Sequence, residues 1–149
     1  MSKNSFLVIF LLISFQISSN DVSIEIDISE QRLYLIEGLD IQASYAVSTS
    51  KYGEGSIENS FKTPLGFHVV KEKIGEGAEK NTIFKSRINT RRSADIIEEY
   101  QDSDDDFVTS RIMWLDGKEE GKNKGGAVDS FARYIYIHGT HEEGLIGTK

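Results

Sequence analysis

The chain has 149 residues, enough for one domain built around a single core. With 24 acidic and 17 basic side chains its net charge is −7, which excludes nucleic acid as an expected partner, since that needs a concentrated basic face. There is no cysteine, so neither a disulfide nor a thiol nucleophile can come from these residues.

Residues 1–20 stand apart from the rest. Lys3 precedes an apolar run from Phe6 to Phe15, and Gln16-Ile17-Ser18-Ser19-Asn20 follows. That layout predicts a secretory signal, with cleavage near Ser19 and an exported domain at 21–149, in the periplasm or cell envelope. The run is about ten residues, short of the roughly 20 that span a bilayer as a helix, so no stable membrane span is expected after cleavage. An uncleaved anchor and a buried N-terminal core helix are the alternatives. The helix lacks polar residues recurring at its period. Without a cysteine in the segment a lipid anchor is not expected. Cleavage would remove one lysine and no acid, leaving the domain one unit more negative.

Ile24, Ile26 and Ile28 alternate with Glu25 and Asp27, which predicts a strand with one wet face. Ser29-Glu30-Gln31 reads as a turn, Arg32 to Glu37 as the return strand and Ile41 to Ser48 as a third. Three short strands with tight connections predict an antiparallel meander. A long loop rich in glycine and small polar residues follows, where Thr63-Pro64-Leu65-Gly66 fits a type I turn. Phe67 to Lys71 should be a strand that ends before Gly75 and Gly77. Ile96, Ile97 and Tyr100 sit at helical spacing after Ser93, which predicts a short helix. Val108 to Leu115 and Ala132 to His138 read as the last two strands. The fold class expected is mainly β, with long loops and few short helices.

Along the final strand Ile135 and Ile137 point one way, and Tyr134, Tyr136 and His138 the other. His138 stands at the strand end, immediately before Gly139. A scaffold fixes a side chain there while the loop admits substrate, which suits a catalytic base; an ordinary polar strand end is the bland alternative. His138 and His141 form H-x-x-H, but two loop histidines, even joined by His68 or a carboxylate, do not enforce a zinc geometry. The acidic run Asp102 to Asp106 fails as a calcium loop, because Phe107 and Met113 stand where glycine and a bidentate glutamate belong. The GEG segments lack the strand-to-helix setting of a phosphate loop. No metal and no cofactor is expected.

Four blocks, IEIDISEQRLYLIEG, YAVSTSKYGEGSIENSFKTPLGFHVVKEKIGEGA, RIMWLDG and RYIYIHGTHEEGLIGT, occur in that order. Together they resemble the L,D-transpeptidase catalytic domain family (YkuD type). The likeness runs from about Ser23 to Lys149, and its most specific parts are K-T-P-L-G at Lys62–Gly66 and Y-I-H-G-T at Tyr136–Thr140. The resemblance implies a mixed β-sandwich and an exported enzyme of peptidoglycan. In that family a cysteine attacks the peptide bond after the third stem residue of a tetrapeptide, commonly diaminopimelate. It releases D-alanine and passes the acyl group from a thioester to an amine.

The family signature is a histidine in H-G-T, a spacer, then S-H-G-C. His138 matches that histidine, the proton acceptor and donor of the reaction, and the Gly139 carbonyl matches the group that orients its other nitrogen. Tyr136, Thr63 and Gly66 are candidate shapers of the substrate site. S-H-G-C would be expected just past Lys149. The chain is therefore expected to be a fragment, incomplete at its C-terminus, with part of the core absent, sheet edges uncovered and no activity of its own. The alternative is a degenerate exported domain that binds cell-wall peptides without turning them over.

Overall fold

The computed structural model describes residues 21–148; the export signal read in residues 1–20 lies outside them. Eight strands form two sheets, joined by long loops and two single-turn 3-10 helices, Gly126–Val128 and Glu143–Leu145. The fold is mainly β, as the alternating patterns predict.

The first sheet is the meander: β1 (Val22–Asp27), β2 (Arg32–Glu37) and β3 (Asp40–Ala46), paired antiparallel in sequence order. Its register places Ile24, Leu35 and Ala43 in one row and Ile26, Leu33 and Tyr45 in the next, so alternation gathers apolar side chains on one face. The predicted turn is present: the Asp27 carboxylate accepts the Ser29 and Glu30 N–H groups at 2.8 and 3.0 Å, and Gln31 takes a φ of 51°. Those two N–H donors hold the Asp27 carboxyl below its usual range, together with the Ser29 hydroxyl, which is the largest influence.

The second sheet contains β4 (His68–Ile74), β5 (Thr82–Lys85), β6 (Ile88–Ser93), β7 (Val108–Gly117) and β8 (Tyr136–Gly139), all pairings antiparallel. β7 is its spine. Ile112 pairs with Ile74 across one edge and with His138 across the other; Thr109 likewise lies between Ile83 and Gly139. The core sits on this sheet, where Phe84, Ile112 and Trp114 pack with Ile74, Val108, Phe131 and Tyr136. The sheets are tied through loops: Ser48 Oγ donates to the Leu145 carbonyl at 3.0 Å and accepts the Gly147 N–H at 3.2 Å.

Several local expectations are corrected. The helix expected near Ile96 does not form. Instead the segment is irregular and docks on the last loop, with the Ile97 N–H bonded to the His141 carbonyl at 2.8 Å and the Gly144 N–H to the Ile97 carbonyl at 2.9 Å. Its two isoleucines are half-buried by that docking, so their spacing reflected tertiary contact and not a helical stripe. Thr63–Gly66 is not closed by a Gly66 N–H to Thr63 carbonyl bond; that carbonyl accepts the Gly55 N–H at 2.9 Å instead, and Gly66 takes a φ of 97°. The last strand begins at Tyr136, not Ala132; residues 132–134 turn, with Tyr134 at a φ of 59°. The β5–β6 hairpin had no expected counterpart.

Candidate active site

β8 carries the centre of the site. Tyr136 and His138 alternate along it and so share a face with Trp114 and Ile112, their partners on β7. A register shift between Thr109 and Ile112 bulges β7 opposite His138, and Ser110 within it has a φ of 63°. Such a bulge re-aims the neighbouring strand end. Gly139 is required by proximity: a Cβ there would stand 2.9 Å from both the carbonyl oxygen and Oγ1 of Thr109. H-G at this point is thus a packing solution as well as a motif.

His138 is exposed. Its Nδ1 lies 2.8 Å from the Gly139 carbonyl. A carbonyl only accepts, so Nδ1 carries a proton, and in the neutral ring Nε2 is the nitrogen with the lone pair. The Nε2 lone pair makes no hydrogen bond among the described residues, and the ring is held as a base whose accepting atom faces solvent.

The other histidines are engaged elsewhere. His141 is buried, ring against Phe107 at 4.8 Å between centroids, with Nε2 3.0 Å from Ser103 Oγ. Ser103 Oγ donates to the Asp105 carbonyl at 2.7 Å, so it accepts from His141 Nε2–H. The Ser103 N–H in turn donates to Glu142 at 2.7 Å and is the main reason the Glu142 carboxyl lies below its ordinary range. His68 donates from Nδ1 to the Gly66 carbonyl and accepts the hydroxyl of fully buried Ser130 at Nε2, both at 2.8 Å. The H-x-x-H pair is therefore split between a solvent-facing ring and a buried one. Among the described residues no three ligating side chains gather for a metal.

Of the candidate binding residues, Tyr136 stands beside His138, and its hydroxyl accepts from Arg87 Nη1 at 3.1 Å. Thr63 and Gly66 do different work. Thr63 Oγ1 accepts the Ser50 N–H at 2.9 Å, and a Cβ on Gly66 would fall 1.9 Å from Glu119 Oε2. Neither hydrogen-bonds to His138. Their loop is clamped to the chain that leads into β8: fully buried Asn123 donates to the Leu65 and Phe67 carbonyls at 2.9 and 3.1 Å, and Arg133 Nη2 donates to the Lys62 carbonyl at 2.9 Å. Burial pushes the Arg133 guanidinium below its ordinary range. Asn123, Ser130 and Arg87 carried no signal in sequence, since each is defined by a partner far along the chain.

The sequence model of YkuD, the L,D-transpeptidase catalytic domain, matches residues 21–148, that is, all the described residues. The chain belongs to this family. No curated protein and no solved structure matches it. The family is one of acyltransferases acting on peptidoglycan peptides, and the matched span contains H-G-T at His138–Thr140 and K-T-P-L-G at Lys62–Gly66. Among the described residues no helix is long and apolar enough to cross a membrane.

Proposed function

We propose that this chain is the histidine-bearing part of an exported L,D-transpeptidase that cross-links or modifies peptidoglycan. The supporting observation is the state of His138: exposed at a strand end, Nδ1–H donated to the Gly139 carbonyl, Nε2 left to accept a proton. That is the half of the chemistry an imidazole supplies. A thiolate is the reactive form of cysteine, and a neighbouring histidine that takes the thiol proton makes it available at neutral pH.

The reaction balances through this one ring. His138 Nε2 takes the proton of a cysteine thiol, and sulfur bonds to the carbonyl carbon after the third stem residue. The C–N bond breaks, and His138 returns the proton to the departing D-alanine amine. An acceptor amine then bonds to the thioester carbon as sulfur leaves; the amine proton passes to His138 and on to the thiolate. Charge on the carbonyl oxygen needs N–H donors near the nucleophile. There is no cysteine among the 149 residues, so on this reading the thiol is supplied from outside them, and these residues alone are expected to turn no substrate over.

A second reading has its own observation, that same lack of any cysteine. It holds that the domain is exported and binds stem peptides without turnover.

Two measurements test the transpeptidase reading, and the downstream gene sequence separates it from the binding one. The 149-residue chain should form no covalent adduct with a carbapenem by intact mass spectrometry; an adduct would overturn the assignment of the nucleophile. In a longer form carrying S-H-G-C, His138→Gln should abolish acylation while leaving the fold unchanged by circular dichroism. Normal acylation there would remove His138 from the mechanism. A gene with no cysteine codon downstream would overturn the transpeptidase reading and leave the binding one to be tested by titration with stem peptide.

A further inference from the structure

The β5–β6 hairpin closes through Ser86 and Arg87, at φ of 48° and 68°. Two successive left-handed residues are the geometry of a type I′ turn, where glycine and asparagine prevail because a longer side chain crowds its own backbone. Arg87 accepts that strain, and its side chain shows what holds it. The guanidinium carbon lies 4.8 Å from the ring centre of Trp114 and 4.8 Å from that of Tyr134. Nη1 donates to Tyr136 Oη at 3.1 Å. Tyr134 itself sits at a φ of 59°, an outlying conformation for a bulky residue. Two large side chains in left-handed backbone thus converge on one indole, and strain maintained in that way collects at binding sites.

The position matters. Tyr136, which receives the Arg87 bond, precedes His138 by two residues on the same face of β8, about 7 Å along the strand. The guanidinium has five N–H donors, and Tyr136 engages one nitrogen. Among the described residues no carboxylate forms an ion pair with it: the four ion pairs present all involve lysines. Glu72, opposite Trp114 on β4, acts on Arg87 only through space. A cation stacked on aromatic faces keeps its edge outward, and that edge fits a carboxylate through two parallel N–H donors.

We propose that Arg87, fixed on Trp114 and Tyr134 beside the face bearing His138, docks a carboxylate of the acyl-donor stem peptide. The inference rests on the stem-peptide reading above and adds the residue that orients the donor. Such a peptide offers two carboxylates near the bond to be broken, the terminal one of D-alanine and the side-chain one of a diaminopimelate third residue. Arg87 is a binding residue; the proton transfers stay with His138.

Titration calorimetry of the 149-residue chain with a synthetic tetrapeptide tests this, using three ligands: free acid, C-terminal amide, and amide at the third side-chain carboxyl. Arg87→Gln should bind the free acid about 10- to 100-fold more weakly, the size of a lost charge-assisted hydrogen-bonded pair. One of the two amides should weaken wild-type binding by a similar factor and identify the carboxylate. Arg87→Gln should lose nothing further on that amide, because removing either partner of one contact leaves no contact for the second change to remove. Arg87→Lys, which keeps charge without the fork, should fall between. If the variant folds poorly by the near-ultraviolet signal of Trp114, the amide series on wild type and Arg87→Lys carry the same test. Additive losses, or wild-type binding indifferent to both amides, overturn the docking role and leave the stem-peptide reading standing. Failure of the wild-type chain to bind any of the three ligands overturns both.

Discussion

Thr109 offers a sharp test of the packing around the site. It is fully buried on β7, between Ile83 and Gly139, and its hydroxyl has no hydrogen-bond partner. A buried polar group left without a partner costs about 1–3 kcal/mol. Thr109→Val replaces the hydroxyl with a methyl of similar size and keeps the branched side chain a strand favours. The added methyl is bulkier than the hydroxyl it replaces in a fully buried position, and that offsets part of the gain. The net expectation is a stabilisation of about 1–2 kcal/mol. With a urea dependence near 2 kcal/mol per molar, the unfolding midpoint should rise by roughly 0.5–1 M. Thr109→Ser keeps the unpaired hydroxyl and deletes a methyl, so it should lose about 1 kcal/mol. A valine variant with a midpoint at or below wild type refutes the reasoning, because the hydroxyl would then have a partner, such as a bound water.

Three further outcomes follow from burial, contact and charge. Ile112, 1% exposed at the centre of the cluster with Phe84 and Trp114, should cost about 2–5 kcal/mol when replaced by alanine, read by urea unfolding with Trp114 fluorescence. A loss under about 1 kcal/mol would mean the cluster closes over the gap. Gly117→Ala would bring a Cβ to 2.0 Å from the Asn123 carbonyl oxygen, so the Asn123 bonds to Leu65 and Phe67 should break. Faster hydrogen exchange at Lys118, whose N–H bonds to the Phe67 carbonyl, checks this, and unchanged protection would refute it. Asp129 is held below its ordinary range by the N–H groups of Ala132 first and Gly125 next. A depressed carboxyl contributes stability that is complete above its unfolded value near pH ~4 and lost as pH falls through the lower folded value. Asp129→Asn should therefore flatten the fall of Tm below about pH 4, and an unaltered acid limb would count against it.

What the sequence disclosed and what it withheld divide along a physical line. β2 was legible to the residue, since Leu33 and Leu35 share a face and turn chemistry flanks Arg32 to Glu37 on both sides. The face of β8 followed from the same period-two pattern, whereas β7 was read as a strand without it, Ile112 to Leu115 being a continuous apolar run. β5 and β6 were not legible because Thr82–Lys85 buries three successive residues, which erases alternation, while Ile88–Ser93 exposes nearly all of its own. Their turn was equally hidden, because Ser86-Arg87 is not a sequence that announces a type I′ hairpin. His138 was legible through its motif. The groups that arrange its surroundings were not: Asn123 reaches Leu65 across 58 positions, and Arg87 reaches Tyr136 across 49.

Three of the nine non-glycine residues at positive φ among the described residues surround the candidate site, and that is informative about it. Ser110, Tyr134 and Arg87 are all non-glycine residues at positive φ, and they lie respectively in the bulge facing His138, at the entrance to β8 and at the hairpin tip that reaches β8. Local bonds contribute, with the Tyr134 N–H on the Phe131 carbonyl at 3.1 Å and Arg111 Nη1 on the Ser110 carbonyl at 2.6 Å. Each is also held from a distance: the Ser110 hydroxyl accepts the Asn81 N–H at 3.0 Å, and Tyr134 and Arg87 meet over Trp114. A left-handed non-glycine residue costs on the order of 1 kcal/mol, so three of them draw on a few kcal/mol of a domain stability that totals only about 5–15 kcal/mol. Trp114 is the member they share, through Tyr134 and Arg87 directly and through the strand that carries Ser110. The placement of the exposed base beside a stacked cation therefore depends on one buried indole, and the geometry of the site is a property of the core beneath it.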